Sequence, residues 1–191
     1  TRKESSAASD VYKRQAIGLS IDGSGDFSSL VVAECHLNKV TIKKRFYFPH
    51  SLGLFYQGMT QLIGFNKYGD EYKLMGLAPY GKPIFKDKIK KKLFTKTDDL
   101  FRLNLEYFNH HRLNFKYDIS ENINIGKILS NDFQEFLKEE KLNNKKIDEF
   151  KQNISSSTQK IFEEYFQKIL EYLKKLNFSK NIIYAGGCAL N

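Results

Sequence analysis

The sequence is poor in the residues that mark secreted, zinc-binding or membrane proteins. Its 191 residues include two cysteines and no tryptophan. Cys35 and Cys188 form neither a metal-spaced pair nor a disulfide framework, so they suit a reducing compartment. No run approaches the roughly 18 uncharged apolar residues of a membrane-spanning helix, and the first residues lack the apolar stretch of a signal peptide. We therefore expect a soluble, cytoplasmic protein without a membrane partner.

The residues that are abundant predict one hydrophobic core. Hydrophobic residues make up 41% of the chain and aromatic residues 14%, which suits one domain or a large piece of one. The formal net charge of +9 raises the alternative of an anion or nucleic-acid patch. The lysines are spread out, however, and from Lys82 to Lys96 they alternate with apolar residues at helical spacing. This pattern favours a solvated helix face, and nucleic acid is not the expected partner.

Residues 1–15 have no hydrophobic period and are treated apart from the rest. The stretch Asp10–Gln15 resembles one reading frame of a transposase adapter used in sequencing libraries. We therefore predict a non-native segment at 1–15 without a place in the fold. The native part is then 16–191, and we expect it to be a partial domain truncated at both ends.

Three apolar runs after this segment predict β-strands at Ala16–Ile21, Phe27–Cys35 and Val40–Phe48. Polar and Gly-rich turns separate them, so we expect an antiparallel meander. Such an opening is typical of an actin-like or ribonuclease H-like α/β domain, in which helices flank a mixed sheet. The turn Asp22–Asp26 occupies the place where these domains hold a metal and a phosphate. Carboxylates bind divalent cations and glycine N–H groups approach anions, although Asp-Gly-Ser-Gly is also a common hairpin turn.

The middle of the chain predicts a helix followed by a loop. Ser51 is a candidate N-cap for a helix with Leu52, Phe55 and Met59 on its apolar face. The segment Glu71–Pro83 concentrates glycine, proline and charge, so we predict a loop that contacts a ligand.

A long amphipathic helix and a short strand are predicted near the end of the chain. Apolar residues recur at helical spacing from Ile147 to Leu176. Residues 181–185 then predict a buried strand that runs into Gly186 and Gly187, where the missing Cβ lets the backbone approach an adenosine or a phosphate. The strand, the glycine pair and a helix start together predict a nucleotide cradle.

Five blocks of the sequence together resemble the O-carbamoyltransferase family, whose members act on nodulation factors, cephem antibiotics and aminoglycosides. Asp22–Asp26 resembles its Asp-Gly-x-Gly-Glu motif, and Tyr184–Asn191 resembles its Gly-Gly-x-Ala-Leu-Asn motif. Between them, Phe48–Tyr56, Glu71–Gly81 and Phe101–Phe108 resemble further signature stretches. The blocks keep the family's order and span nearly all of the chain after residue 15.

The resemblance implies a two-stage, ATP-dependent reaction. A C-terminal domain of the family forms carbamoyl adenylate from ATP and carbamoyl phosphate, and the actin-like domain passes the carbamoyl group to an acceptor hydroxyl. Asp22 matches a ligand of a divalent metal, often iron, which the family completes with two upstream histidines and a downstream aspartate. These partners are expected in place of the adapter-like segment and beyond Asn191, so this chain alone is expected to be inactive.

Other site residues follow from the same motifs. Backbone or amide contacts to the adenylate are expected from Gly23, Gly25, Asp26, Gly186, Gly187 and Asn191. Asp26 stands where the family has a glutamate, which is one methylene longer. His50, Lys73 and Lys82 are candidate phosphate or substrate contacts. His36 and the pair His110 and His111 match no family motif, and we do not expect them to bind metal.

Two other functions stay open on the sequence. A transfer-RNA threonylcarbamoyl transferase shares the fold and the metal chemistry and would use the basic surface. A non-catalytic actin-like module would bind nucleotide without a reaction. The blocks at 48–56 and 71–81 favour the natural-product family, and no residue type in the chain specifies the acceptor.

Overall fold

The computed structural model describes residues 15–112, 126–143 and 147–191. Its strands are β1 (Gln15–Ile21), β2 (Ser28–His36), β3 (Lys39–Tyr47) and β4 (Ile182–Ala185). Its helices are α1 (Leu52–Leu62), α2 (Glu71–Leu77), α3 (Lys86–Leu93), α4 (Asn131–Asn143) and α5 (Ile147–Leu176). Among the helices within these ranges, none is long and apolar enough to cross a lipid bilayer.

The four strands form one mixed sheet in the order β3-β2-β1-β4. β1 runs antiparallel to β2, and β2 runs antiparallel to β3. β4 joins the other side of β1 in a parallel pairing, with Ile17 opposite Ile182 and Ser20 opposite Ala185. The predicted α/β class, with a mixed sheet and flanking helices, is confirmed. Each strand begins and ends within one residue of its predicted bounds.

The predicted non-native segment lies outside the described residues, except for Gln15. That residue begins β1 and pairs with His36 of β2. The prediction that residue 15 has no place in the sheet is therefore wrong. For residues 1–14 the interpretation stays a prediction.

The chain divides into two compact units, and the first contains the sheet. Among the described residues this unit comprises 15–53 and 167–190, and so includes the last turns of α5. Apolar side chains of the two central strands form its core, because alternate residues of a strand point to the same face. The buried residues of these strands include Ile17, Leu19, Ile21, Leu30 and Val32. Ile169 and Leu173 of α5 are also buried within this unit.

The second unit, residues 54–166 with Asn191, is helical and has an aromatic core. The ring of Phe94 stacks on that of Tyr165 with centroids 4.4 Å apart, and Phe55 meets Phe94 edge-on at 5.0 Å. Phe101 packs edge-on against Tyr165 at 6.1 Å. Such pairs add to the free energy gained by burying the rings themselves. The period of apolar residues predicted α3 and α5, and most of the expected side chains are buried, whereas Ile84 and Ile147 are exposed.

The predicted loop at Glu71–Pro83 is mostly helical, which corrects the sequence prediction. Residues 71–77 form α2, and a single 3₁₀ turn follows at Ala78–Tyr80. Leu74 is fully buried and anchors α2, while Gly76 is exposed, so that its cost to the helix is small. Pro79 lies in the first turn of the 3₁₀ helix, where its missing N–H breaks no hydrogen bond.

Candidate functional site

The turn after β1 places Asp22 at the end of a central strand. The backbone N–H of Asp22 donates to Ser29 O at 2.9 Å, which closes the turn against the start of β2. Oδ1 of Asp22 accepts a hydrogen bond from the N–H of Gly23 at 2.8 Å. A 3₁₀ turn then covers Gly25–Phe27. These contacts hold the carboxylate beside the glycine-rich turn, and ligand binding by this turn stays a prediction.

The parallel pairing of β4 with β1 brings the diglycine turn to the same place. Gly186 has a positive φ of 92°, and a Cβ there would lie 2.1 Å from Ile21 O. A Cβ on Gly187 would lie 3.2 Å from Oδ1 of Asp22, and one on Gly25 would lie 3.4 Å from Oδ2. The carboxylate therefore lies between two positions without side chains. Asp22, Gly23, Gly25, Gly186 and Gly187 come together in one unit, although the sequence separates them widely.

The diglycine turn is closed by a tyrosine that the sequence interpretation did not single out. The hydroxyl of Tyr184 donates to the carbonyl O of Cys188 at 2.9 Å. Burial raises the pKa of Tyr184 well above its ordinary value, so this hydroxyl keeps its proton at neutral pH. The N–H of Ala189 also donates to Gly186 O at 3.1 Å. Both bonds fix the path of the backbone that passes Asp22.

The start of α1 packs directly against the Asp22 turn. The hydroxyl of Ser51 donates to the carbonyl O of Asp22 at 2.9 Å. A Cβ on Gly53 would lie 2.8 Å from the backbone N of Gly23, so only glycine allows this approach. Sequence reasoning used Ser51 only as a cap and missed Gly53. A glycine in the first turn of a helix, where alanine would favour the helix more, was the available signal.

His50 lies in the same segment, between β3 and α1. Its backbone N–H donates to Tyr47 O at 3.1 Å, and its carbonyl O accepts a hydrogen bond from the hydroxyl of Ser29. The backbone carbonyl of Ser29, near the start of β2, in turn accepts the hydrogen bond from the Asp22 N–H. The structure thus places the His50 backbone next to the predicted site, while contact of its ring with substrate stays a prediction.

Lys73 belongs to the second unit, where its charge is paired. Its ammonium lies 2.7 Å from Oδ1 of the buried Asp70 and 5.3 Å from the centre of the Phe65 ring. The hydrogen bond to Asp70 raises the pKa of Lys73, and the same bond lowers the pKa of Asp70. These contacts give Lys73 a structural role within its own unit. A role of Lys73 in phosphate binding stays a prediction.

Lys82 also belongs to the second unit, at the rim of a surface cavity of about 500 Å³. Its backbone N–H donates to Oδ1 of Asn153 at 2.7 Å. A Cβ on the preceding Gly81 would lie 2.0 Å from Gln152 O, so the chain crosses α5 in close contact. Asp148 and Glu149 line the same cavity, so the charge there is mixed instead of purely basic. Phosphate binding by Lys82 stays a prediction.

Asn191 lies in the second unit and forms a paired amide contact with Gln159 of α5. Nε2 of Gln159 donates to Oδ1 of Asn191 at 2.8 Å, and Nδ2 of Asn191 donates back to Oε1 at 3.3 Å. The hydroxyl of Tyr56 donates to the same Oε1 at 2.8 Å. This chain of contacts orients the amide of Asn191. The sequence interpretation named Asn191 but neither of its two partners.

The remaining histidines belong to β2 and to the second unit. His36 ends β2 and is exposed. His110 is fully buried against the ring of Phe108 at 5.4 Å. Burial and the neighbouring charge of Arg112 lower the pKa of His111, whose Nε2 accepts a hydrogen bond from Arg112 Nε at 3.1 Å. Across residues 15–112, 126–143 and 147–191, no group of three or more His, Cys, Asp or Glu side chains could hold a metal ion.

Comparison with known proteins gives a match over nearly the whole chain. A family model described as "Carbamoyltransferase N-terminus" matches residues 6–191. The chain belongs to the carbamoyltransferase family. The predicted membership, which rested on five sequence blocks, is thereby confirmed. The match begins inside the segment 1–15, for which the adapter interpretation stays a prediction.

This carbamoyltransferase chain is also similar to several curated proteins over part of its length. It is 43% identical over 97 residues, half of the chain, to an uncharacterized protein of Synechocystis sp.. It is 44% identical over 69 residues to the nodulation protein NolNO of Sinorhizobium fredii, and 42% identical over 69 residues to the nodulation protein NolO of Bradyrhizobium diazoefficiens. The matched parts cover 36% of the chain in both nodulation proteins. They correspond to only 16%, 10% and 12% of the three relatives.

The described residues of this carbamoyltransferase fit one position of a metal site. The carboxylate of Asp22 offers hard oxygen ligands, and the glycines on either side leave space that a Cβ would fill. A divalent cation such as Mg²⁺ or Ca²⁺ needs about six or more ligands, which Asp22 alone does not provide. A role of Asp22 in metal binding therefore stays a prediction.

Proposed function

We propose that this chain is part of an ATP-dependent O-carbamoyltransferase of the cytoplasm, in which it contributes to an actin-like domain that delivers a carbamoyl group to an acceptor hydroxyl. The observation that carries the proposal is the Asp22 carboxylate, held between Gly25 and Gly187 at the junction of β1 and β4. The family match and the similarity to two nodulation proteins support the same reaction class. Carbamoyl phosphate, ATP and a hydroxyl-bearing small molecule or sugar are the proposed substrates.

In this proposal the chain's own residues bind and orient the carbamoyl adenylate. The N–H groups of the glycine-rich turn and of the diglycine turn approach its phosphate, because no Cβ stands in the way. Asp22 supplies one ligand of a divalent metal, for which iron is our proposal. When bound, this metal would polarise the carbamoyl carbonyl for attack by the acceptor. A C-terminal domain of the same protein would supply the adenylate.

The test is the variant Asp22→Asn in the full-length protein that contains this chain. Exchange of one oxygen for an amide keeps the size of the side chain and removes its charge. We expect metal content to fall and carbamoyl transfer from ATP and carbamoyl phosphate to drop by roughly 10–100-fold or more, as for lost groups around metal sites. Metal analysis and turnover would be measured on the same preparations.

Asp87→Asn is the matched control, because Asp87 is a highly exposed carboxylate on α3. This control should keep the metal content and turnover of the wild type. If Asp22→Asn behaves like Asp87→Asn in both measurements, the proposed role of Asp22 is wrong.

A further inference from the structure

A closed set of hydrogen bonds ties three segments of the first unit together around Asp22. The N–H of Asp22 donates to the carbonyl O of Ser29 at 2.9 Å. The hydroxyl of Ser29 donates to the carbonyl O of His50. The next residue, Ser51, donates through its hydroxyl to the carbonyl O of Asp22 at 2.9 Å. The end of β1, the start of β2 and the start of α1 are therefore joined in one ring.

Both hydroxyls of this ring are almost completely buried. Ser29 is 1% exposed and Ser51 is 0% exposed. A buried hydroxyl costs free energy unless it forms hydrogen bonds, and both of these serines donate to a backbone carbonyl of a different segment. The hydroxyls of these two serines link the segments by hydrogen bonds, whereas alanine would fill nearly the same space without forming them.

The ring acts on both sides of the Asp22 backbone. The backbone carbonyl of Ser29 accepts from its N–H, and the hydroxyl of Ser51 donates to its carbonyl, so two contacts restrain the direction of the Cα–Cβ bond. Gly53 packs closely against Gly23, the residue after Asp22, since a Cβ on Gly53 would lie 2.9 Å from the Cα of Gly23. The N–H of Gly23 then meets Oδ1 of Asp22 at 2.8 Å. Backbone position and carboxylate direction are thus set together.

We propose that Ser51 is a positioning residue, which fixes the direction of the Asp22 carboxylate by holding the Asp22 carbonyl, and that the hydroxyl of Ser29 supports it by holding the carbonyl of His50, the residue before Ser51. This inference rests on the proposed function, because it concerns the same carboxylate. Neither serine touches the reacting groups. Loss of either hydroxyl should misdirect the carboxylate without removing its charge, which is a different defect from that of Asp22→Asn.

The experiment compares Ser51→Ala with Ser155→Ala in the full-length protein. Ser155 is a matched control, because it is also 0% exposed and its hydroxyl donates to a carbonyl, Lys151 O, at 2.8 Å. Ser155→Ala removes only a hydrogen bond within one turn of α5 and adds a better helix former, so we expect it to change the thermal midpoint less than Ser51→Ala does. Only Ser51→Ala should also lower kcat by roughly 10–100-fold, with little change in KM for carbamoyl phosphate. Only Ser51→Ala should speed hydrogen exchange at the Asp22 and Gly23 amides.

A double variant separates a positioning role from a general loss of stability. If Ser51 acts through Asp22, adding Ser51→Ala to Asp22→Asn should reduce turnover no further, because coupled residues are not additive. Independent, multiplied losses would overturn the inference. So would a Ser51→Ala variant that matches Ser155→Ala in kcat and in hydrogen exchange.

Two outcomes keep this inference distinct from the proposed function. If Asp22→Asn retains full metal content and turnover, the proposed function fails whatever Ser51→Ala does. If Asp22→Asn is impaired but Ser51→Ala is not, only the inference fails. Should Ser51→Ala not fold, Ser29→Ala provides the second variant, since its backbone carbonyl still accepts from Asp22 and only the link to His50 is lost. A normal kcat in a folded Ser29→Ala variant would then overturn the inference.

Discussion

At the scale of single residues, the glycines of this carbamoyltransferase differ sharply in what a side chain would meet. Gly186 combines a positive φ with a backbone oxygen 2.1 Å from its Cβ position. Gly76 lies exposed in α2 with no atom within 4 Å of that position. At Gly186 the close approach of β1 leaves no room for a side chain. At Gly76 the surroundings leave room for one.

The two alanine variants should therefore change stability in opposite directions. Gly186→Ala should cost about 1–3 kcal/mol for the backbone conformation alone, and the clash with Ile21 O adds to that cost. Gly76→Ala should stabilise the protein by about 0.5–1 kcal/mol, because alanine loses less conformational freedom in a helix. Urea unfolding midpoints of both variants would test this. A Gly186→Ala variant as stable as the wild type would contradict the close approach of the diglycine turn to β1.

Sequence reasoning found some residues of the site and missed others for a physical reason. Asp22 and Gly186 stand in local patterns, a strand followed by a glycine-rich turn, so their neighbours in sequence reveal them. Ser51 and Gly53 have their roles through Asp22 and Gly23, which are distant in the chain. Such contacts depend on how the segments pack together. The partner of Tyr184 is Cys188, four residues on, but their hydrogen bond depends on the backbone path of the diglycine turn.

At the scale of helices, α3 and α5 are joined by an ionic contact within the second unit. Lys86 and Lys90, one turn apart on α3, both reach the carboxylate of Glu164 on α5, with Lys86 at 2.7 Å. Partial burial opposes ionisation of Glu164, but the hydrogen bonds and charges of the two lysines outweigh it and hold its pKa below its ordinary value of 4.5. The contact therefore stabilises the fold above that pH, and its contribution is lost as the pH falls through the lowered pKa.

The variant Glu164→Gln should show this pH dependence directly. It should lower the thermal midpoint at pH 7, where the wild-type carboxylate is ionised. The difference between variant and wild type should shrink towards about pH 3, where glutamates become protonated. Glu163→Gln is the control, because its pair with Lys160 is about half exposed and such pairs contribute about 0–1 kcal/mol. A difference that stays constant with pH would contradict the ionic role of Glu164.

The helices also show which local signals are reliable. The periods at 82–96 and 147–176 predicted α3 and α5, because each helix buries apolar side chains at helical spacing, while Ile84 and Ile147 at the starts of the two patterns are exposed. The segment 71–83 was predicted as a loop because glycine and proline usually interrupt helices. There Gly76 is solvent-exposed and Pro79 lies in a first turn, so neither interrupts the structure. Whether a glycine or a proline interrupts a helix depends on its exact position in the turn, and the composition of the segment does not specify that position.

At the scale of the whole molecule, the family could be predicted from the sequence, whereas the arrangement of its predicted contacts could not. Five blocks in the right order identified the carbamoyltransferases, because each block carries several fixed residues. The structure then groups four predicted contact residues, Gly23, Gly25, Gly186 and Gly187, around Asp22. It places Lys73, Lys82 and Asn191 in the other unit. The chain spans between a tenth and a sixth of the three relatives described above, so the reaction of the complete protein stays a proposal.

The net charge of +9 provides a test at this same scale. Because several lysines are paired or spread over helix faces, we expect only non-specific binding of transfer RNA. Its Kd should be weaker than about 10⁻⁶ M at physiological salt, and binding should weaken steeply as salt is raised. Fluorescence anisotropy with labelled transfer RNA and with random single-stranded RNA of equal length would measure this. Tight binding of transfer RNA alone would favour the threonylcarbamoyl transferase alternative over our proposal.

The parallel pairing of β1 with β4 also determines when the Asp22 turn is completed during synthesis. The hydroxyl of Ser179, just before β4, donates to the carbonyl O of Gln15 across 164 positions of the chain. At about 5–20 residues per second, a ribosome adds that stretch in roughly 10–30 s. The hairpins of β1, β2 and β3 are local and form within microseconds of emerging. We therefore expect one edge of β1 to stay unpaired for many seconds on the ribosome, and an exposed strand edge of this kind is open to pairing with other chains.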